Sequence, residues 1–197
     1  ARKYHLPNTD IFDERRYFVA GDKPCVLNFL GTTCAFTICE DLWEPEPIEW
    51  AKKAGAQVVV NINASPFHLD KLKQRKELLE RRARQVGFPI LYVNLVGGQD
   101  ELVFDGGSMA VDQSGQCRFL APNYIEGLYA LDIEVGDSGK CTIKEQSKAA
   151  ELTLEATVYQ SLVLGVKDYV RKNNFQGVVL GLSGGIDSAL TLAIATD

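Results

Sequence analysis

The sequence predicts an α/β layered domain finishing in antiparallel strands, followed by the opening of a second, nucleotide-binding α/β unit. Three observations predict it. Short β-branched runs alternate with helical patterns between about residues 25 and 95, and Gly/Asp/Asn turns then separate short apolar runs up to about residue 135. After a polar stretch, a long amphipathic pattern leads into an apolar run, a Gly-rich loop and a second helical pattern.

Taken in order, Val26–Leu30 and Thr33–Ile38 flank Gly31-Thr32, which predicts a hairpin. Glu49–Ala54 reads as a short helix, with Pro47 at its start and Gly55 as its stop. Val58–Ile62 is a buried strand by its continuous β-branched character. A long helix is expected from Asp70 to Val86, with Leu72, Leu79 and Ala83 at helical spacing. Its many Lys and Arg read as a solvated face, because Glu77 and Glu80 are interleaved. Gly87-Phe88-Pro89 ends it, and Ile90–Leu95 is another buried strand. Val103-Phe104, Ser108–Val111 and Gly127–Ile133 are expected as strands between turns. Residues 137–150 are polar and read as a linker, which divides the chain into 1–136, 137–150 and 151–197. Leu152 to about Lys172 predicts a long helix, Val178–Leu182 a short buried strand, and Ala189–Ile194 a helix.

With 21 Lys+Arg against 26 Asp+Glu in 197 residues, the net charge is 21 − 26 = −5. That acidity argues against nucleic-acid or anionic-membrane binding, which needs clustered cations. No apolar run reaches the roughly 18–20 residues that span a bilayer, and the charged start does not resemble a signal peptide. Five cysteines (25, 34, 39, 117 and 141), with no CxxC pair, fit reduced thiols in the cytoplasm better than a disulfide framework or a zinc site. No metal-ligand cluster is read. The start at Ala1 without Met, and the end inside an apolar helical pattern at Asp197, predict a piece of a longer protein, inactive in isolation.

Two stretches carry chemistry. Leu180-Gly181-Leu182-Ser183-Gly184-Gly185-Ile186-Asp187-Ser188 follows an apolar run directly. Glycines let a backbone approach an anion closely, and the following helix N-terminus aims free N–H groups at it. The loop lacks the GxxxxGK[ST] pattern of a Walker A loop. It resembles the SGGxDS pyrophosphate loop of ATP-pyrophosphatase enzymes, which adenylate a carboxyl or carbonyl oxygen. The resemblance implies that Gly181, Leu182, Ser183, Gly184, Gly185, Ile186, Asp187 and Ser188 embrace ATP, with Asp187 near the nucleotide and Mg²⁺. In Thr37–Trp43 a cysteine, Cys39, ends an apolar run at a strand edge facing a loop, which suits a nucleophile with an exposed thiolate.

With Lys3–Asn8 and the FDERRYF stretch ending at Phe18, the ICEDLW motif resembles the nitrilase superfamily of carbon–nitrogen hydrolases. The resemblance implies the C-terminal part of an α-β-β-α sandwich. Lys3 then matches the lysine that stabilises the tetrahedral intermediate, Cys39 the nucleophile that forms a thioester, and Glu14 an additional glutamate near the lysine. The superfamily's general-base glutamate would lie upstream of Ala1. Asn63–His68, the run from Asn94 to Gly106 and the SGGIDS loop complete, in order, a layout that resembles the glutamine-dependent NAD(+) synthetase family.

That resemblance implies a ligase that hydrolyses glutamine and passes ammonia to a second site. There ATP adenylates nicotinic acid adenine dinucleotide, and ammonia displaces AMP to give NAD(+). It also implies glutamine contacts at Thr9, Glu40, Ser65 and Lys71, and a homo-oligomer. The family commonly has tyrosine where Thr9 stands and glycine where Asp70 stands. His5 and His68 read as hydrogen-bonded loop residues outside the chemistry. The alternative reading is a stand-alone amidase of the nitrilase superfamily acting on a small amide, with the C-terminal Gly-rich loop a coincidence.

Overall fold

The computed structural model describes residues 1–8 and 12–197. Its centre is a six-stranded mixed sheet built from β1 (Cys25–Phe29), β2 (Thr32–Ile38), β3 (Val58–Asn63), β4 (Ile90–Asn94), β7 (Met109–Val111) and β8 (Cys117–Leu120), in spatial order β1-β2-β3-β4-β7-β8. β2, β3 and β4 run parallel, and the other neighbours are antiparallel. The first hairpin turns at Leu30-Gly31, one residue earlier than expected, because both take positive φ (49° and 82°), as a tight two-residue turn requires.

Helices α1 (Pro45–Lys53) and α2 (Lys71–Val86) cross one face of the sheet. α1 begins four residues before the expected start, with Pro45 in its first turn. Because strand residues alternate between faces, Val59, Ile90 and Tyr92 point to the helices and pack with Leu42, Ile48, Leu79 and Ala83. Each buried Val, Ile or Leu side chain among them stabilises by roughly 1.5–3 kcal/mol. The opposite face is not buried as the β-branched runs predict. Ile62, Val93 and Leu95 are about half exposed there and line a groove of about 550 Å³.

The basic face of α2 also departs from expectation. Arg75 is fully buried, and its guanidinium meets Asp105 Oδ1 at 2.8 Å and the Ser65 and Pro66 carbonyl oxygens at 2.8 and 3.0 Å. Arg82 is buried too, donating from Nε to the Leu42 carbonyl at 2.8 Å. Interleaved glutamates signal a wet face only where no carboxylate or carbonyl waits inside the fold.

Two small hairpins flank the sheet: β5 (Val96–Gln99) with β6 (Leu102–Asp105), and β9 (Ile133–Val135) with β10 (Cys141–Ile143). Residues 127–132, expected as strand, form no ladder, and the strand begins only at Ile133. The segment 137–150, expected as linker, carries β10, whose Cys141 and Ile143 are buried. α3 (Leu154–Lys172) starts with Thr153 as N-cap, its hydroxyl accepting from the Ala156 N–H at 3.2 Å. The run 178–182, expected as a buried strand, is an exposed extended segment; Val179 is 102% accessible. It pairs with no strand among the described residues, and an unpaired strand cannot bury its faces. α4 (Ile186–Thr196) follows the Gly-rich loop, three residues earlier than expected.

Candidate active site

The parallel strands β2, β3 and β4 all deliver their carboxyl ends to one edge, where open α/β sheets place ligands. Cys39 follows β2 directly, Ser65 follows β3, and Asn94 ends β4. A polar ladder underlies this edge. Asn61 donates to the Thr37 hydroxyl at 2.9 Å, and Asn63 donates to Asn61 Oδ1 at 2.7 Å and to the Val93 carbonyl at 3.1 Å.

Cys39 opens a short 3-10 turn (Cys39–Leu42) with φ of 46°, left-handed backbone that a non-glycine residue rarely adopts. Asp41 fixes the turn. Its carboxylate is buried and accepts from the N–H of Ile38 at 3.0 Å, of Tyr4 at 2.8 Å and of His5 at 2.9 Å. One side chain thus ties the Cys39 turn to the segment bearing Lys3. The Gly21 N–H, donating to the Lys3 carbonyl at 2.8 Å, braces that segment from its other side. A Cβ on Gly21 would come within 2.9 Å of the Arg2 carbonyl oxygen.

Lys3 Nζ meets both Glu14 oxygens, at 2.6 and 2.8 Å, and the pair is largely sheltered from solvent. Lys3, Glu14 and Cys39 line one cavity of about 950 Å³, together with Asn63, Ala64 and Leu95. The expectation of an exposed thiolate is not met. Cys39 is half-buried and burial pushes its thiol up; Lys3 opposes this, while Glu40 and Glu14 add to it. Burial outweighs the pull of Lys3, so the thiol holds its proton more firmly than an ordinary cysteine.

Lys71 lies on the same side. Burial and then Arg75 lower its pKa, while Glu40 and Cys39 pull the other way. Its ammonium stands 4.3 Å from the Trp43 ring centroid. Ser65 is buried, its N–H donating to Asn94 Oδ1 at 2.9 Å and its hydroxyl accepting from Arg75 Nε at 3.3 Å. Burial pushes the neighbouring Tyr92 phenol up to about 12. Thr9 lies outside the described residues. Among the described residues His5 Nε2, which is buried, has no hydrogen-bond partner, and a Glu46 oxygen lies 3.9 Å away, so the expected hydrogen-bonded imidazole is not found there.

Asp41, Asn94, Arg75 and Asp105 carry much of this geometry and escaped the sequence reading. Only Asp41 had a local signal, a carboxylate placed to cap the turn after a strand.

The Gly-rich loop is open and shaped by its serines. Ser183 Oγ and Ser188 Oγ are 3.0 Å apart, and Ser188 Oγ donates to the Gly185 carbonyl at 3.0 Å. Gly184 has φ of +85°, and no atom of the described residues stands within 4 Å of where a Cβ would sit on it or on Gly181. Gly185 caps α4 without a side-chain hydrogen bond, so first-turn N–H groups face outward next to Asp187.

A thiol on a strained turn beside a lysine–carboxylate pair, at the edge of a mixed sheet, defines a cysteine-based α/β domain suited to acyl chemistry. The chain belongs to the carbon–nitrogen hydrolase family, whose model matches residues 1–141. A second model, NAD synthase, matches residues 158–197. A glutamine-dependent NAD(+) synthetase of Acinetobacter baylyi is 41% identical over 99% of this chain and 36% of its own length. One of Xanthomonas campestris is 43% identical over 100% of this chain and 36% of its own. This chain therefore spans about 36% of the curated relatives it matches. Among solved structures, the glutamine-dependent NAD(+) synthetase of Acinetobacter baumannii in complex with ADP superposes with a TM-score of 0.91. It has 42% identity and covers 98% of this chain and 36% of that one. A mutant amidase of the nitrilase superfamily from Nesterenkonia, with the acetamide moiety of fluoroacetamide added at its active site cysteine, has a TM-score of 0.53 and 32% identity. It covers 61% of this chain and 44% of that one.

Proposed function

We propose that the protein carrying this chain makes NAD(+) with glutamine as nitrogen donor. The observation that carries this reading is the pairing of two sites in one chain: a cavity shared by Cys39, Lys3 and Glu14, and an open SGGIDS loop at the N-terminus of α4. The amidase match covers 61% of the chain, whereas the synthetase matches cover 98–100%, the Gly-rich loop included.

Cys39 Sγ attacks the carboxamide carbon of glutamine, and the Lys3 ammonium stabilises the oxyanion that develops. Collapse expels ammonia with the thiol's proton and leaves a γ-glutamyl thioester, which water then hydrolyses to glutamate. Because burial holds the Cys39 proton in place, this step needs a proton acceptor, the role that a glutamate upstream of Ala1 would fill. Glu14 holds Lys3 in place. Lys71 and Glu40 offer opposite charges to the carboxylate and ammonium of the amino acid, and Ser65 supplies a neighbouring polar wall. Thr9 is assigned to the same subsite.

At the second site, residues Gly181 to Ser188 take the phosphates of ATP, with the outward N–H groups of α4 as donors. Mg²⁺ would be held by Asp187 together with those phosphates, a fit to its habit of using one or two carboxylates, and would neutralise their charge. Nicotinic acid adenine dinucleotide is adenylated there, and ammonia displaces AMP. Ammonia is mostly protonated in neutral water, so generating it inside the protein protects the nucleophile. The proposed division is residues 1–136 for the glutaminase part, 137–150 connecting, and 151–197 for the start of the ATP part. We place the protein in the cytoplasm as a homo-oligomer that binds neither nucleic acid nor membrane, in keeping with five free cysteines and a net charge of −5.

The test supplies the full-length protein with nicotinic acid adenine dinucleotide, ATP, Mg²⁺ and glutamine. NAD(+), AMP, pyrophosphate and glutamate are the expected products. Glutamate without NAD(+), even when ammonium replaces glutamine, would favour a simple amidase.

A further inference from the structure

Helix α3 meets the β5–β6 hairpin almost backbone to backbone. A Cβ on Gly98 would stand 3.1 Å from Asp168 Cβ and 3.3 Å from Gly165 Cα, and one on Gly165 would stand 3.2 Å from Val103 Cγ2. A glycine inside a helix or a strand weakens that element, so glycines facing each other on both mark a close approach that the fold uses. A polar clamp closes the junction. The Gly98 N–H donates to Asp168 Oδ2 at 2.7 Å, Lys172 Nζ lies 3.1 Å from the same oxygen, and Lys172 also donates to the Gly98 carbonyl. Tyr124 Oη adds a second tie to the Thr157 carbonyl, at 3.0 Å. Burial opposes ionisation of Asp168, but the Gly98 N–H and Lys172 outweigh it and hold the carboxyl below its ordinary value.

Both ends of this junction lead to a site. β5 begins one residue after Leu95, which lines the Cys39 cavity and whose N–H donates to the Asn63 carbonyl at 3.0 Å. α3 packs on α4, whose N-terminus bears the SGGIDS loop, and Tyr159 donates to Asp197 Oδ2 at 2.6 Å.

We infer that the α3–hairpin junction is an internal docking clamp, and that Asp168 is a positioning residue which holds the Cys39 cavity and the ATP loop in register for the passage of ammonia. The inference rests on the proposed function. Asp168 touches neither substrate; it acts by fixing where one site stands relative to the other.

The test uses the full-length protein and reads glutamate released per NAD(+) formed, alongside NAD(+) formation from ammonium. Asp168→Ala should raise the ratio at least about twofold, the lower end of what residues coupling two sites contribute, and leave the ammonium-driven rate near wild type. Asp168→Asn, which keeps an oxygen to accept from Gly98, should restore the ratio. Gly98→Ala should raise it by forcing the elements apart, and decides the matter if Asp168→Ala does not fold. Wild-type ratios in Asp168→Ala and Gly98→Ala, or Asp168→Asn no better than Asp168→Ala, overturn the clamp alone. A wild type that makes no NAD(+) from either donor overturns the proposed function and the clamp together.

Discussion

The Asp41 carboxylate accepts the Tyr4 backbone N–H at 2.8 Å, joining the turn that carries Cys39 to the segment that carries Lys3. The same group holds the His5 and Ile38 N–H groups. Asp41→Ala strands these donors, at about 1–3 kcal/mol for each one left without a partner. A clear fall in melting temperature is expected, with glutamine-driven kcat falling more than tenfold as Lys3 and Cys39 lose their alignment. Ammonium-driven synthesis by the surviving folded protein should stay close to wild type. Equal loss with both donors would place Asp41 outside this role.

The charge on Cys39 follows its neighbours. Burial pushes the thiol up, Lys3 lowers it, and Glu14 raises it. Alkylation of Cys39 by iodoacetamide, followed by mass spectrometry, should therefore accelerate as pH rises past the ordinary thiol value of about 8.5. Lys3→Met should move that rise to higher pH, and Glu14→Gln should move it lower. The folded thiol holds its proton more firmly than the unfolded one, so its contribution is complete below the unfolded value and is lost as pH climbs through that value toward the folded one.

Arg75 and Asp105 form an ion pair from which water is excluded, with side chains 0% and 3% exposed. Arg75→Met leaves the Asp105 charge buried and should cost about 3–5 kcal/mol, read as a large drop in melting temperature. The guanidinium also holds the Ser65 and Pro66 carbonyls. The folded fraction should therefore show a raised KM for glutamine, with little change in ammonium-driven synthesis.

Gly184 sits at φ of +85° with open space around it. Gly184→Ala forces a side chain into left-handed backbone, at about 1–2 kcal/mol, and narrows the approach to the loop. NAD(+) formation should fall with both nitrogen donors and the KM for ATP should rise, while glutamine hydrolysis persists. Selective loss of the glutamine-driven reaction would argue against an ATP role for the loop.

The elements most legible in the sequence were those whose signals are local. β3 and β4 announced themselves by β-branched runs, and α2 by its period and by Gly87, whose φ of 80° and N–H to the Ala83 carbonyl end the helix. The run 178–182 misled because a strand needs a partner strand, and none pairs with it among the described residues. Arg75 misled because the carboxylate that buries it, Asp105, is 30 positions away. The Cys39 turn and the Gly-rich loop were legible as candidates, since glycine spacing and a cysteine after a strand are patterns within a few residues. The state of the thiol was not, because it depends on how Glu14, Glu40 and Lys3 surround it.

Whether ammonia released at Cys39 feeds the proposed ATP site is decided by following NAD(+) formation in full-length Cys39→Ala protein, once with glutamine and once with ammonium. Glutamine should no longer support synthesis, while ammonium does so at the wild-type rate. Undiminished synthesis from glutamine in Cys39→Ala would contradict that route.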